Sequence, residues 1–176
     1  MKAIVYDNYG SPTVLRCEEI AKPTAGANEV LIKVRAAALN PYDWHFMRGL
    51  PYVVRLIAGL RKPRIPRLGF DLAGRVEAVG RNIQQFKPGD EVFGACSGAL
   101  AGAFAEYACT SESALARKPD NVTFEQAACV PMAGFTALQG LRDKGRIQSD
   151  QKVLVNGPRE VWVRSLCRSP SRSAQR

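Results

Sequence analysis

The chain has 176 residues, of which 46% are hydrophobic, and its formal net charge is +9. This length suits one domain, or one domain with part of another, and the hydrophobic content is sufficient for a core. Its apolar stretches are short and interrupted, which excludes a membrane-spanning helix, and its start lacks the long apolar stretch of a secretory signal. Five widely spaced cysteines without a Cys-x-x-Cys pair indicate a cytoplasmic chain with free thiols.

The first two-thirds of the chain consist of short apolar runs separated by turns rich in glycine and proline. These runs predict strands at residues 2–6, 15–20, 29–39, 73–79, 91–93, 104–109 and 115–118. In the third run, Val30 and Ile32 alternate with Leu31 and Lys33, which predicts a half-buried strand. Several short strands with regular turn signals are typical of a barrel or a sandwich.

The pattern changes near residue 121, where helical signals begin. Thr123 precedes Phe124-Glu125-Gln126, which predicts a capped helical turn at residues 124–128. A helix is predicted at residues 132–144 with Gly145 as its stop, and a strand at residues 152–156 that leads into a glycine turn at Gly157. A helix, a strand and a glycine turn in this order mark the opening of an α/β domain.

The segment after Gly157 does not continue that domain, because a glycine loop and a helix should follow. None of the 15 glycines lies after Gly157, and residues 158–176 consist largely of Ser, Arg and Pro. One can write a DNA sequence that encodes a glycine loop and an apolar helix and that contains a GGGG run. Deleting one G from this run shifts the reading frame, and the shifted frame then encodes residues 156–175. We therefore expect a frameshifted, truncated product, with a genuine disordered basic tail as the alternative.

Much of the basic charge lies in that tail, which holds five arginines and one glutamate and so contributes +4 of the +9. The other basic cluster comprises Arg55, Arg61, Lys62, Arg64 and Arg67. We interpret this cluster as a solvated loop, with a phosphate or RNA contact as the less favoured alternative. The neighbouring apolar stretch at residues 52–60 either covers a substrate mouth or forms a partner-facing or buried helix.

Seven motifs in order resemble the zinc-free quinone oxidoreductase (zeta-crystallin-like) branch of the medium-chain dehydrogenase/reductase superfamily. They are MKAI at 1–4, EVLIKV at 29–34, NPYD at 40–43, GFDLAG at 69–74, VEAVG at 76–80, KPGDEVFG at 87–94 and PMAGFTAL at 131–138. Each motif is weak alone, but together they cover residues 1–157.

The resemblance implies a mainly β fold, with a GroES-like barrel as catalytic domain followed by the first helix and strand of a truncated Rossmann domain. We accordingly expect a GroES-like domain at residues 1–122, a linker helix and first Rossmann strand at 123–157, and an aberrant basic tail at 158–176. The relatives bind NAD(P)H in the cleft between two domains. The resemblance also implies a homodimeric parent, with neither a membrane nor a nucleic acid as partner.

Zinc-dependent relatives place a cysteine in the loop that here reads Asn40-Pro41-Tyr42-Asp43, and a histidine in the motif that here reads Gly69-Phe70-Asp71. Both ligand types are missing from these motifs, so we expect no zinc site. Without a Lewis acid, the branch reduces activated C=C bonds and quinones by hydride transfer. The chemistry expected here is therefore that of a quinone or enone reductase.

Motif position assigns roles to five residues. We expect Tyr42 and Asp43 to be catalytic, with Tyr42 donating a hydrogen bond to a substrate oxygen. We expect Asn40, Thr136 and Gly157 to bind NADPH or NADH, with Thr136 near the nicotinamide. The alternative readings are a turn or cap at Asn40, helix support by Asp43 and simple packing by Thr136.

Three hypotheses about the whole chain follow. The first is a truncated NAD(P)H-dependent oxidoreductase that is inactive by itself. The second is a non-catalytic interaction or RNA-binding module that uses the barrel and the basic tail. The third is a chain that does not fold stably. The resemblance implies that the last segment of a relative returns to complete the catalytic domain, and without such a segment apolar surface would be exposed.

Overall fold

The computed structural model describes residues 1–96 and 102–154. Within them the chain forms two antiparallel sheets, one of two strands and one of five. The strands are β1 (Lys2–Val5), β2 (Arg16–Glu19), β3 (Glu29–Ala38), β4 (Asp71–Val79), β5 (Glu91–Ala95), β6 (Tyr107–Ser111) and β7 (Leu115–Arg117). Each of the seven corresponds to one predicted run, so the mainly β fold expected from the sequence is confirmed.

The larger sheet has the strand order β6-β3-β4-β5-β7, with the two longest strands, β3 and β4, near its centre. Two register shifts interrupt their pairing, between Leu31 and Ile32 and between Val34 and Ala36. Such bulges increase the local twist and bend a strand, which curves the sheet around its core. The side chains of that core that are almost completely buried include Val30, Ile32, Leu72, Val76 and Val92.

The alternation predicted for β3 is only partly correct. Lys33 is exposed and Ile32 is buried as expected, but Leu31 is also buried. Leu31 lies beside an open cavity of ≈ 310 Å³ that is also lined by residues of the segment before the strand, among them Pro23 and Thr24. A coil segment thus covers the second face of the strand, and alternation within the strand itself cannot reveal that cover.

The first strand connects distant parts of the chain. β1 pairs with β2, and its other edge forms isolated bridges from Ala3 to Ala105 and from Val5 to Arg67. The Ile4 N–H donates to the Phe104 carbonyl oxygen at 2.9 Å. Directly after the strand, Tyr6 is 1% exposed and packs in a second core cluster with Met47 and Leu68. The amino-terminal residues are therefore part of the folded body.

Two helices lie in the connection between β3 and β4. They are α1 (Pro41–Arg48), which ends at a left-handed Gly49, and α2 (Val54–Ala58). A capped helical turn follows the barrel strands as predicted, because α3 (Phe124–Ala128) begins at Thr123 with both hydrogen bonds of a capping box.

The helix predicted at residues 132–144 is present but changes type within its length. It begins as α4 (Pro131–Leu138) and continues as a π-helix at Gln139–Lys144. Gly145, the predicted stop, has a right-handed φ of −73°, and the left-handed residue is Arg146 at φ 46°. The left-handed residue after the helix is therefore Arg146, one position after the glycine that was predicted to end the helix.

The strand predicted at residues 152–156 is described only as far as Leu154. Residues 151–154 form no ladder with another strand, and Leu154 is 94% exposed. A strand of this kind needs parallel neighbours, whereas the pairings in the described part of the chain are all antiparallel. No helix in the described residues is long and apolar enough to cross a membrane.

Candidate functional site

A cavity of ≈ 240 Å³ lies where α1, α2 and the segment leading into β4 meet. Its lining is mostly apolar and aromatic, with two arginines: it includes Tyr6, Tyr42, Phe46, Ile57, Arg64 and Arg67. A concave apolar space with a few polar groups at its wall is the usual form of a site for a small organic ligand.

The N terminus of α1 positions two of the predicted site residues. Asn40 is the N-cap in an extended conformation, and Pro41 occupies the first turn, where a missing N–H costs nothing. The Asn40 N–H donates to Asp43 Oδ2 at 2.9 Å. This local bond begins the helix at a fixed point, so that Tyr42 and Asp43 both reach the cavity wall.

Asp43 connects α1 to the segment before β4. Its second oxygen, Oδ1, accepts the Gly69 N–H at 3.0 Å, and the residue is 2% exposed. Gly69 has a φ of +102°, and a Cβ there would collide with the backbone nitrogen of Phe104. Burial raises the pKa of Asp43, while the backbone hydrogen bonds lower it by less. With both oxygens engaged, the geometry favours a positioning role; a catalytic role stays a prediction.

Tyr42 is half-buried between two aromatic rings at the cavity. Its ring stacks on Phe46 at 4.2 Å and 25°, and a tilted Phe70 ring lies 5.0 Å away. Burial, followed by the charge of Asp43, raises the pKa of the Tyr42 hydroxyl. The hydroxyl therefore keeps its proton at neutral pH and can donate a hydrogen bond.

Asn40 and Asp71 form a buried polar pair behind this wall. Asn40 is 5% exposed and Asp71 is fully buried. Burial raises the pKa of Asp71 to about 6, although the Met132 N–H and the Asn40 side chain both lower it. Asp71 accepts the Met132 N–H with both oxygens, at 3.0 and 3.2 Å. Asn40 thus contributes to the junction between the barrel and α4.

Neither Asn40 nor Thr136, two of the predicted cofactor residues, is among the residues that line this cavity. Thr136 is exposed on α4, one helical turn after Met132. Gly157 lies outside the described residues. Within residues 1–96 and 102–154, no three His, Cys, Asp or Glu side chains converge as a possible metal site.

Sequence reasoning missed several residues of the lining, among them Arg64, Arg67 and Tyr6. Arg64 and Arg67 belong to the cluster that we interpreted as a solvated loop, yet both line the cavity. Tyr6 reaches it from the first strand, through contacts with residues more than 40 positions away. The basic cluster was a usable signal for the arginines, whereas nothing local to the sequence of Tyr6 indicates its position.

Comparison with known proteins places this geometry in context. The alcohol dehydrogenase GroES-like domain family matches residues 26–120. A chloroplastic quinone-oxidoreductase homolog of Spinacia oleracea is 38% identical over 151 residues, which are 85% of this chain and 44% of that protein. The 2-methylene-furan-3-one reductase of Solanum lycopersicum is 41% identical over 164 residues, 89% of this chain and 40% of the reductase.

The fold also matches solved structures. The Escherichia coli quinone oxidoreductase complexed with NADPH superposes with a TM-score of 0.74 at 28% identity. The match covers 86% of this chain and 43% of the Escherichia coli protein. The chain thus spans less than half the length of the relatives described here.

Proposed function

Since this chain belongs to the quinone oxidoreductase branch of the medium-chain dehydrogenase/reductase superfamily, we propose that it supplies the substrate-binding wall of an NAD(P)H-dependent reductase. The proposed substrates are quinones or enones, and the proposed reaction is independent of zinc. We propose in addition that this chain does not complete the reaction by itself.

The observation that supports this proposal most is the placement of Tyr42, a residue with a hydroxyl donor, in the wall of an apolar, aromatic cavity. A quinone is a flat apolar ring whose carbonyl oxygen gains negative charge as the ring is reduced. Phe46 and Ile57 offer apolar contacts for such a ring, and Tyr42 offers a proton donor for the oxygen. A donor aimed at developing negative charge in a dry site is worth far more than the same donor in water.

The two arginines of the lining support the same role. Arg64 and Arg67 place positive charge at the cavity. A cation near a carbonyl oxygen stabilises the enolate or hydroquinone anion more than the neutral substrate, because the interaction grows with the charge on the oxygen. The wall is therefore suited to a substrate that becomes anionic during the reaction.

The cofactor fits the described residues only in part. A bound reduced nicotinamide supplies a hydride to an electrophilic carbon, and we propose that Asn40 and Thr136 face that ring. A pyrophosphate is held by a glycine loop between a parallel strand and a helix N terminus. The described strands are antiparallel, so these residues do not fit the pyrophosphate, and Gly157 keeps its assigned role only as a proposal.

Calorimetric titration of the chain with 1,4-naphthoquinone tests the substrate-binding wall. We expect saturable binding of the quinone. The affinity should fall about fivefold to tenfold in Tyr42→Phe, because this variant loses one hydrogen bond to the ligand. Tyr107→Phe is the matched control, because Tyr107 lies on β6 outside the cavity and its ring contact with Lys22 survives the change. Absence of quinone binding, or equal affinity in both variants, would overturn the proposal.

The incomplete cofactor site has a separate test. We expect no turnover when NADPH and the quinone are mixed with the chain and NADPH absorbance is followed. We also expect no saturable binding of NADPH in the micromolar range. Micromolar affinity for NADPH would contradict the view that the described residues do not fit its pyrophosphate.

A further inference from the structure

The segment around α2 presents large aliphatic side chains to solvent. Tyr52, Val53, Leu56, Ile57 and Leu60 have exposed fractions of 71%, 61%, 65%, 74% and 67%. The exposed cations Arg61, Lys62 and Arg64 follow directly in the chain. We refer to these eight residues as the basic apolar surface. A cluster of exposed apolar residues of this kind marks an interaction site more often than a lone exposed leucine does.

The basic apolar surface is fixed to the rest of the fold from behind. Arg55 donates through Nε to the Gly49 carbonyl oxygen at 3.1 Å, and its guanidinium lies 4.7 Å from the centre of the Tyr9 ring. The Tyr9 hydroxyl donates to the Gly59 carbonyl oxygen at 2.5 Å, and Ala58 is buried. The inner face of α2 is therefore packed, and the outward apolar side chains are held in place at the surface.

The segment of the chain that carries this surface has charges of one sign. From Trp44 to Phe70 the sequence contains no aspartate and no glutamate, but it contains six cations: Arg48, Arg55, Arg61, Lys62, Arg64 and Arg67. Among the ion pairs of the described residues, none involves Arg61, Lys62 or Arg64. The partner that complements this surface is therefore both apolar and anionic.

We propose that the basic apolar surface binds an anionic lipid bilayer peripherally. Leu56, Ile57 and Leu60 would enter the boundary between headgroups and acyl chains, while the cations contact lipid phosphates. Interfacial segments combine these two features, an aliphatic face and flanking Lys or Arg. Binding of this kind needs no membrane-spanning helix. The proposal differs from the expectation, drawn from the sequence, that the chain has no membrane partner.

Two other occupants fit the surface less well. A second copy of this chain would bring two sets of cations together, and like charges in contact oppose association. A single-stranded nucleic acid would complement the charge, but such sites stack bases on aromatic rings. Four of the five apolar residues here are aliphatic, and their burial against phosphates would gain little.

The same surface reaches the candidate site. Ile57 and Arg64 belong to the basic apolar surface and also line the cavity that contains Tyr42. A bilayer bound there would lie at the cavity mouth, and an apolar quinone could enter from the lipid without crossing water. This part of the inference rests on the proposed function, whereas lipid binding itself does not.

Vesicle flotation with the full chain tests the surface. We expect binding to vesicles of phosphatidylcholine with phosphatidylglycerol, and binding on the order of 100-fold weaker to phosphatidylcholine alone, since three exposed cations contribute. Leu56→Asn with Leu60→Asn should lower affinity for the anionic vesicles by at least about tenfold. Leu39→Asn is the matched control, because Leu39 is 78% exposed and lies outside the surface.

Several results would overturn the inference. One is a chain that stays unbound with anionic vesicles, and another is equal loss of binding in the Leu39→Asn control. Tighter binding to single-stranded RNA that the leucine variants leave unchanged would assign the surface to nucleic acid. Concentration-dependent dimerisation that these variants abolish, without vesicle binding, would assign it to a second copy. Quinone titration without vesicles reports separately on the proposed function.

Discussion

Asp71, the first residue of β4, accepts the backbone N–H of Met132, in the first turn of α4, with both carboxylate oxygens at 3.0 and 3.2 Å. The two residues are 61 positions apart, and this contact holds the helical segment against the sheet. A carboxylate at a helix N terminus is favoured by the helix dipole. The same carboxylate is fully buried, which opposes its ionisation.

The contribution of Asp71 to the free energy of unfolding should fall as the pH rises from about 4 to about 6. An ordinary aspartate pKa is 3.8, and burial raises that of Asp71 to about 6 in the folded chain. The folded state therefore holds this proton more tightly than the unfolded state does. The resulting stabilisation is complete below the unfolded pKa and is lost as the pH passes the folded one, a change on the order of 3 kcal/mol.

Urea denaturation of the wild type and of Asp71→Asn at several pH values measures this effect. Glu77, which is exposed, and Glu91, which is partly exposed, have lowered pKa values and shift stability in the opposite direction, so the difference between the two proteins is the informative quantity. Asp43, whose pKa is also raised by burial, is common to both. A difference that does not change with pH would contradict the prediction.

Asp43→Asn should lower the free energy of unfolding by about 1–3 kcal/mol. The amide presents an NH₂ group where one carboxylate oxygen now accepts a backbone N–H from Asn40 or Gly69, so one buried donor loses its partner. Asp120→Asn is the matched control, because Asp120 is exposed and should change stability by less than about 0.5 kcal/mol. Equal effects in the two variants would show that these hydrogen bonds contribute little.

Thr123→Ala should lower the free energy of unfolding by about 1 kcal/mol. The Thr123 hydroxyl accepts the Gln126 N–H at 3.3 Å, and the Thr123 N–H donates to Gln126 Oε1 at 2.9 Å. Thr24→Ala, in an exposed stretch before β3, provides the comparison. Thermal melting of both variants measures the difference, and an unchanged melting temperature for Thr123→Ala would argue against the cap.

Gly80→Ala should be strongly destabilising, by more than about 2 kcal/mol. A Cβ at Gly80 would collide with the backbone carbonyl oxygens of Gly26 and Ala27, which cannot rotate away as a side chain could. Gly140→Ala is the contrasting change, since a Cβ there meets nothing within 4 Å and the residue is helical. That variant should be neutral or stabilised by about 0.5–1 kcal/mol. Similar denaturation midpoints for both variants would refute the steric argument.

The elements of the barrel could be predicted because their signals are local. Turn residues such as Pro88 and Gly89 bracket the strands, and the Thr123 cap places α3. The N-cap at Asn40 could likewise be read from its motif. The type of the helix after Leu138 and the fate of residues 152–154 could not, because backbone hydrogen bonding there depends on neighbouring elements and not on propensity.

The cavity was less predictable than the barrel. The position of Tyr42 followed from its motif, but Tyr6 and Arg64 reach the same space from separate elements. These residues come together through long-range packing, which a local sequence pattern does not reveal. The exposure of Leu56 and Ile57 could not be predicted from the sequence either, because an apolar run of this length is equally consistent with a buried helix.

The edge contacts of the first strand set an order for assembly. Its Ile4 N–H pairs with Phe104, and the Lys2 carbonyl oxygen accepts the Glu106 N–H, so these bonds cannot form until residue 106 has been synthesised. Closing so long a loop is slow compared with forming a hairpin. Tyr6, by contrast, packs against Met47 and Leu68, which are made well before residue 106. During synthesis the outer edge of β1 should therefore stay unpaired at Ile4 and Lys2 until the residues just before β6 have been made, whereas the residues that line the cavity can meet earlier.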